Sequence, residues 1–110
     1  MNNIERKFFE LNLFNAVMKG LETLYQSDDK KCYIIINRKN LKISSCLEND
    51  FFADNYFYNE VIIFSIDIEE EYQYLITDKK GNLLNNESSK KTLERLASHN
   101  LASILTTLYY

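Results

Sequence analysis

The spacing of apolar residues changes twice along this chain of 110 residues, from helical to alternating and back to helical. Between Ile4 and Tyr25 apolar residues recur every three or four positions, which predicts a helix with a wide apolar face packed against a sheet. Gly20 within that helix indicates a close approach to a neighbouring element. The first apolar stripe contains Leu11, Phe14, Met18, Leu21 and Tyr25, and a second stripe beside it contains Leu13, Val17 and Leu24.

The C-terminal region carries a second amphipathic helical pattern. Ser88 or Ser89 is available as its N-cap. We predict a C-terminal helix whose apolar side packs on the sheet. The residues that share this apolar side are Leu93, Leu96, Ala97, Leu101, Ile104, Leu105 and Leu108.

Between the two helices the apolar residues alternate as they do in β-strands. The predicted strands are 32–37, 41–45, 56–68 and 72–77. With a helix at either end, this order predicts an α+β fold: an N-terminal helix, a roughly four-stranded antiparallel meander and a C-terminal helix. The chain has no Pro and only two Gly, so it offers no linker, and residues 1–110 are predicted to form a single domain.

Composition is that of an ordinary globular protein, with 45% apolar and 26% charged residues. No apolar run approaches the ~20 residues that a membrane span requires. The N-terminal sequence MNNIERKFFELN carries charges and no small-residue cleavage site, so we expect a cytoplasmic protein without a membrane segment. Cys32 and Cys46 lack CxxC spacing and are expected to be free thiols.

Charge is strongly segregated along the sequence. Residues 43–78, here called the acidic segment, contain nine acidic and no basic residues. The rest of the chain holds seven acidic residues and all 13 basic ones, which leaves a net charge of −3. Eight of the 15 aromatic residues also fall in the acidic segment, so carboxylates and rings are concentrated together.

Carboxylates and aromatic rings in one segment favour a surface that binds a basic protein. Carboxylates attract a cationic partner from a distance, and Tyr and Phe supply the buried anchors of an interface. Phosphates would be repelled, so direct binding of nucleic acid is disfavoured. The sequence therefore predicts a bacterial immunity-type inhibitor that blocks the basic cleft of a toxin, most plausibly a nuclease. The predicted partner-binding residues are Glu48, Asp50, Phe52, Asp54, Tyr56, Tyr58, Glu60, Asp67, Glu69, Glu70 and Glu71.

Three other interpretations of the acidic segment stay open. The simplest is a solvated rim that keeps the sheet soluble and discourages pairing at its edges. A second is a phage-type blocker of a nucleic-acid-targeting defence system, which has the same physical requirements. A third is a homodimer that forms through complementary charge and hides Phe51, Phe52 or Tyr56.

Signals for catalysis are sparse. The single histidine, His99, lies on the predicted C-terminal helix, and no group in the sequence activates either cysteine. The chain contains neither a zinc-ligand set nor a Gly-rich phosphate loop. We therefore predict no metal, no cofactor and no enzymatic activity.

The one enzymatic alternative is a metal-dependent nuclease. Asp67 and Asp78 would hold Mg²⁺ while Lys80 helps to generate the attacking hydroxide, with Glu10 or Glu22 as a third carboxylate. The spacing loosely resembles the restriction-endonuclease-like pattern of Asp followed by Asp/Glu-x-Lys. Against it, the sequence around Asp78 also fits a solvent-exposed turn, and the acidic surroundings oppose the approach of DNA.

Overall fold

The computed structural model describes residues 2–53, 61–67 and 87–109, which form three helices and a three-stranded antiparallel sheet. This arrangement confirms the predicted α+β class, with a long helix on either side of the strands in chain order. The fourth predicted strand, 72–77, lies outside the described residues. The elements are α1 (Asn3–Tyr25), β1 (Lys31–Asn37), β2 (Ile43–Leu47), α2 (Glu48–Ala53), β3 (Val61–Asp67) and α3 (Glu87–Tyr109).

Helix α1 begins at an asparagine cap and buries one side. The Asn2 side chain accepts a hydrogen bond from the Glu5 backbone N–H at 2.8 Å, which satisfies an amide that has no partner within the helix. The prediction that Leu11 belongs to the buried stripe is wrong, because Leu11 lies about 200° around the helix from Leu13. The buried residues of α1 are Phe9, Leu13, Val17, Gly20, Leu21, Leu24 and Tyr25.

Strand β1 lies in the middle of the sheet, in the order β2-β1-β3, and both pairings are antiparallel. The predicted meander is therefore wrong in its pairing order, since β3 pairs with β1 and not with β2. The composition of β1 explains its place: Ile34, Ile35 and Ile36 are all buried, as expected of a strand that is covered on both faces. The residues of β2 are half-buried or exposed, which suits the edge of a sheet.

The turn between β1 and β2 is longer than predicted, and β2 begins at Ile43 instead of residue 41. The Asn37 side chain accepts hydrogen bonds from the backbone N–H groups of Lys39 and Asn40. The Asn40 side chain in turn accepts one from the N–H of Lys42. Leu41 belongs to this turn, with a left-handed φ of 58° that costs a non-glycine residue about 1–2 kcal/mol.

Helices α1 and α2 cover opposite faces of β1. Successive side chains of a strand point to opposite faces, so Cys32 and Ile34 face α1 whereas Tyr33 faces α2. Helix α1 comes closest at Gly20, where an added Cβ would lie 2.9 Å from the Sγ of Cys32. The close approach predicted from Gly20 is therefore confirmed.

Helix α3 packs along α1. The guanidinium of Arg6 lies 4.2 Å from the centre of the Tyr109 ring, which places the end of α3 beside the start of α1. Buried residues of α3, among them Leu93 and Ile104, share one core with α1 and the sheet. The helix begins at Glu87, so the two serines predicted as N-caps lie inside its first turn.

Candidate functional site

The structure describes three of the predicted carboxylates. Glu48 and Asp50 lie on α2, and Asp67 is the last residue of β3. Phe52 also belongs to α2, but its side chain lies outside the described part of the structure. The other predicted binding residues, all outside the described ranges, are Asp54, Tyr56, Tyr58, Glu60, Glu69, Glu70 and Glu71.

Helix α2 is held against the sheet by an aromatic stack. The ring of Phe51 lies on that of Tyr33, with the ring centres 4.1 Å apart and the planes 19° from parallel. Phe51 is buried, so it serves the interior of the chain and is not free to form the self-association surface considered from the sequence. The neighbouring Asp50 is exposed, so the stack fixes the backbone from which this carboxylate projects.

The three described carboxylates lie at the same end of the sheet. Lys31 and Asp67 occupy opposite positions on β1 and β3. On the other side of β1, Cys32 is opposite Leu47 of β2. The residue after Leu47 is Glu48, which therefore lies beside Lys31. Because neighbouring strands are about 4.8 Å apart, the backbones of Glu48 and Asp67 are about 10 Å apart, with Lys31 between them. We call Glu48, Asp50 and Asp67 the acidic end.

Charge is polarised along the strands. Within the described residues, no carboxylate of the acidic end forms an ion pair. The ion pairs among the described residues lie within single helices and join Arg6 to Glu10 and Glu87 to Lys91. The opposite end of the sheet carries Arg38, Lys39 and Lys42, here called the basic hairpin. The seven residues of β1 separate the two ends by about 20 Å. A partner that approaches the acidic end therefore meets an excess of negative charge, which Lys30 and Lys31 offset only in part.

The residues considered for a nuclease site are not brought together in the part of the chain that the structure describes. Asp67 ends a strand of the sheet, whereas Glu10 on α1 pairs with Arg6 at 3.1 Å. No group of three metal-ligating side chains occurs among the described residues. Asp78 and Lys80 lie outside the described ranges, so this alternative stays untested.

Neither Cys32 nor Cys46 forms a disulfide, as predicted. They lie on neighbouring strands, where Cys32 is opposite Leu47 and Cys46 is opposite Tyr33, so the two thiols project from opposite faces of the sheet. Cys32 is buried beneath α1, and burial raises the pKa of its thiol to about 11, with a further rise from the nearby Cys46. Cys32 is therefore a packing residue and a poor nucleophile.

The two thiols should react at very different rates. At pH 8 only about one Cys32 thiol in a thousand is ionised. We expect a thiol-reactive disulfide reagent to modify one thiol per chain quickly and the second only after unfolding. Cys46→Ser should remove the fast phase and Cys32→Ser should retain it; two equally fast thiols would contradict the buried position of Cys32.

The raised pKa also gives stability a pH dependence. The folded pKa lies above the ordinary value of 9.0, so ionisation favours the unfolded chain. The stability that depends on this group is fully present below pH 9.0 and is lost as the pH rises toward about 11. In Cys32→Ser this loss of stability between pH 9.0 and about 11 should be absent.

A groove of about 820 Å³ runs between α1 and β2, and it was not predicted from the sequence. Asn12, Ala16, Lys19 and Thr23 line it on the helix side, and every residue of β2 lines it on the sheet side. We call it the α1–β2 groove. The signal in the sequence that could have indicated the groove is the segment ISSCL, which has no charged residue and three small residues at its centre.

No protein-family model, curated protein or solved structure matches this chain. Within the described residues, no helix combines the length and the apolar character needed to cross a bilayer.

Proposed function

We propose that the protein is a non-enzymatic, cytoplasmic binding module that neutralises a basic protein toxin, most plausibly a nuclease, by covering its active cleft. A nuclease presents Lys and Arg around its cleft to bind phosphates. An acidic surface with aromatic anchors is complementary to that cleft in both charge and contact chemistry.

The observation that carries the proposal is the gathering of Glu48, Asp50 and Asp67 at one end of the sheet without ion pairs among the described residues. Carboxylates without an ion partner keep their full negative potential toward an approaching partner. Two of the three lie on α2, whose position is fixed by the stack of Phe51 on Tyr33. Fixed charges lose little conformational entropy on binding, so they favour fast and specific association.

The proposal extends to the rest of the acidic segment. Aromatic side chains of that segment would supply the anchors, and further carboxylates would widen the negative surface. The residues assigned this role outside the described part are Phe52, Asp54, Tyr56, Tyr58, Glu60, Glu69, Glu70 and Glu71.

Charge reversal tests the proposal once a partner has been recovered from the source cell. We expect Asp50→Lys combined with Asp67→Lys to slow association at low salt by about tenfold or more, because long-range attraction acts mainly on the association rate. The matched control is Glu22→Lys with Glu94→Lys, which changes the net charge equally at exposed positions on α1 and α3. Stopped-flow fluorescence over a range of salt concentrations measures both rates.

The control should change the association rate by less than about twofold at moderate salt, where distant charges are screened. Equal slowing by both pairs of substitutions would mean that only net charge matters, and it would remove the acidic end as the docking surface. The partner class has its own test: a basic nuclease should lose activity in proportion to added protein and stop at an equimolar ratio. A partner that is neither basic nor inhibited would contradict the proposed role.

A further inference from the structure

We propose that the α1–β2 groove is a second binding site, which takes an extended peptide segment of a partner protein as an added strand along the edge of β2. The segment would run antiparallel to β2, with a basic residue near its N-terminus and an acidic residue near its C-terminus. This inference does not depend on the toxin-binding role.

The shape of the groove indicates a strand edge. Side chains of a strand point alternately to its two faces. All five residues of β2 line the groove, which requires a cavity that follows the edge of the strand itself. Within the described residues β2 pairs with β1 alone, so the edge that borders the groove has no described strand beside it.

The hydrogen-bond register shows which backbone groups point into the groove. Asn37 donates its N–H to the carbonyl of Lys42 at 2.9 Å, so these two residues form a hydrogen-bonded pair. Hydrogen-bonded pairs alternate along an antiparallel ladder, which makes Ser44 and Cys46 the residues of β2 that bond to β1. The N–H and C=O groups of the remaining β2 residues, Ile43, Ser45 and Leu47, point outward to a strand that enters the groove.

The side chains along the groove suit an incoming strand. Ser44, Ser45 and Cys46 are small and uncharged, so they do not carry the lysines that commonly block a sheet edge. Leu41 stands at one end of the strand, exposed and in the left-handed conformation, a strain that persists at binding surfaces more often than elsewhere. Helix α1 forms the far wall, as in other domains that bind peptides by adding a strand beside a helix.

For a segment that runs antiparallel to β2, the charges of the groove determine the chemistry of its two ends. Lys42 lines the groove just before β2 begins, and Asp50 lines it just after β2 ends. Arg38 and Lys39 of the basic hairpin extend the positive charge beyond Lys42. A segment antiparallel to β2 brings its C-terminal end to Lys42 and its N-terminal end to Asp50, so an acidic C-terminal end and a basic N-terminal end are complementary.

Synthetic peptides test the inference without changing the protein. The probe is a fluorescent, end-capped octapeptide that begins with lysine, alternates threonine and valine, and ends with glutamate. We expect it to bind in fluorescence polarisation, and to bind at least about tenfold more tightly than the same peptide with its two charged residues exchanged. No binding of either peptide, or equal binding of both, would overturn the proposal.

N-methylation of the probe separates strand addition from simple charge attraction. Alternate amides of a strand point to opposite sides, so methyl groups on one alternate set block pairing with β2 and methyl groups on the other set do not. One methylated series should lose at least about tenfold in affinity while the other retains it. Equal affinity in both series would rule out strand addition.

Two substitutions complete the test. Lys42→Glu leaves an acidic residue at each end of the groove, so it should abolish the charge preference and the two peptides should bind with similar affinity. Ser45→Pro removes an outward N–H without removing a bond to β1, and it should abolish binding of both peptides. If Ser45→Pro fails to fold, Lys42→Glu and the methylated peptides decide the outcome. If Lys42→Glu still prefers the original probe to the exchanged peptide as strongly as the unaltered protein does, the proposed orientation is excluded. Neither substitution alters the acidic end, so failure here leaves the toxin-binding proposal standing.

Discussion

Leu13→Ala is expected to lower the free energy of unfolding by about 3 kcal/mol, whereas Leu11→Ala should change it by less than about 0.5 kcal/mol. The two leucines are two positions apart on the same helix, yet Leu13 is fully buried and Leu11 is 54% exposed. Removal of Leu13 leaves a cavity between α1 and the rest of the core, while Leu11 loses contacts mainly with water. Urea denaturation followed by circular dichroism measures both changes.

Equal helix propensity makes this a matched pair, because each substitution exchanges the same two residue types in the interior of α1. The dependence of the unfolding free energy on urea concentration should stay the same in both variants. Similar losses of stability from the two substitutions would mean that α1 is rotated about its axis relative to the arrangement described. Such a result would also remove the wall of the α1–β2 groove.

Gly20→Val should destabilise the protein by about 2–3 kcal/mol, although valine is intrinsically the better helix former. A Cβ at residue 20 would lie 2.9 Å from the Sγ of Cys32 and 3.6 Å from the Cδ1 of Ile34, both in the core. The helix must therefore move away from the sheet or force these side chains out of position.

A double-mutant cycle isolates the contact. Cys32→Ala removes the nearest atom, so the combination of Gly20→Val and Cys32→Ala should be more stable than the sum of the two single effects by about 1 kcal/mol or more. Thermal and urea denaturation of the four proteins give the coupling free energy. Additive losses would show that Gly20 and Cys32 do not press against each other.

The fold class could be predicted because local spacing determines it. Helical periodicity located α1 and α3, and alternation located the strands, including the face that Ile62, Phe64 and Ile66 share with β1. Pairing order could not be predicted in the same way, since any two antiparallel strands have compatible patterns. The three consecutive isoleucines of β1 are typical of a strand covered on both faces, a feature that the alternation of apolar residues does not capture.

The remaining errors have separate physical causes. The spacing of Leu11 fits a helical stripe, but spacing alone does not show which of two apolar sides of the helix faces the sheet. Helix α2 is a single short element whose position depends on the contact of Phe51 with Tyr33, 18 residues earlier in the chain.

For the candidate site, the sequence predicted that acidic and basic residues are segregated along the chain, but not which end of the sheet each group occupies. The acidic segment is long, and only register determines that Glu48 and Asp67 reach the same end of the sheet. The α1–β2 groove depends on the distance between two elements, which Gly20 reduces, and it therefore became visible only in the folded chain.

The central position of β1 also matters while the protein is being synthesised. Its neighbour β2 follows after one short turn, whereas β3 is complete only when Asp67 has left the ribosome. At 5–20 residues per second, roughly 2–6 s pass between the completion of β1 and that of β3. During that interval the central strand of the sheet has one edge without its native neighbour, and the growing polypeptide depends on α1 and β2 alone to keep it from pairing with other chains.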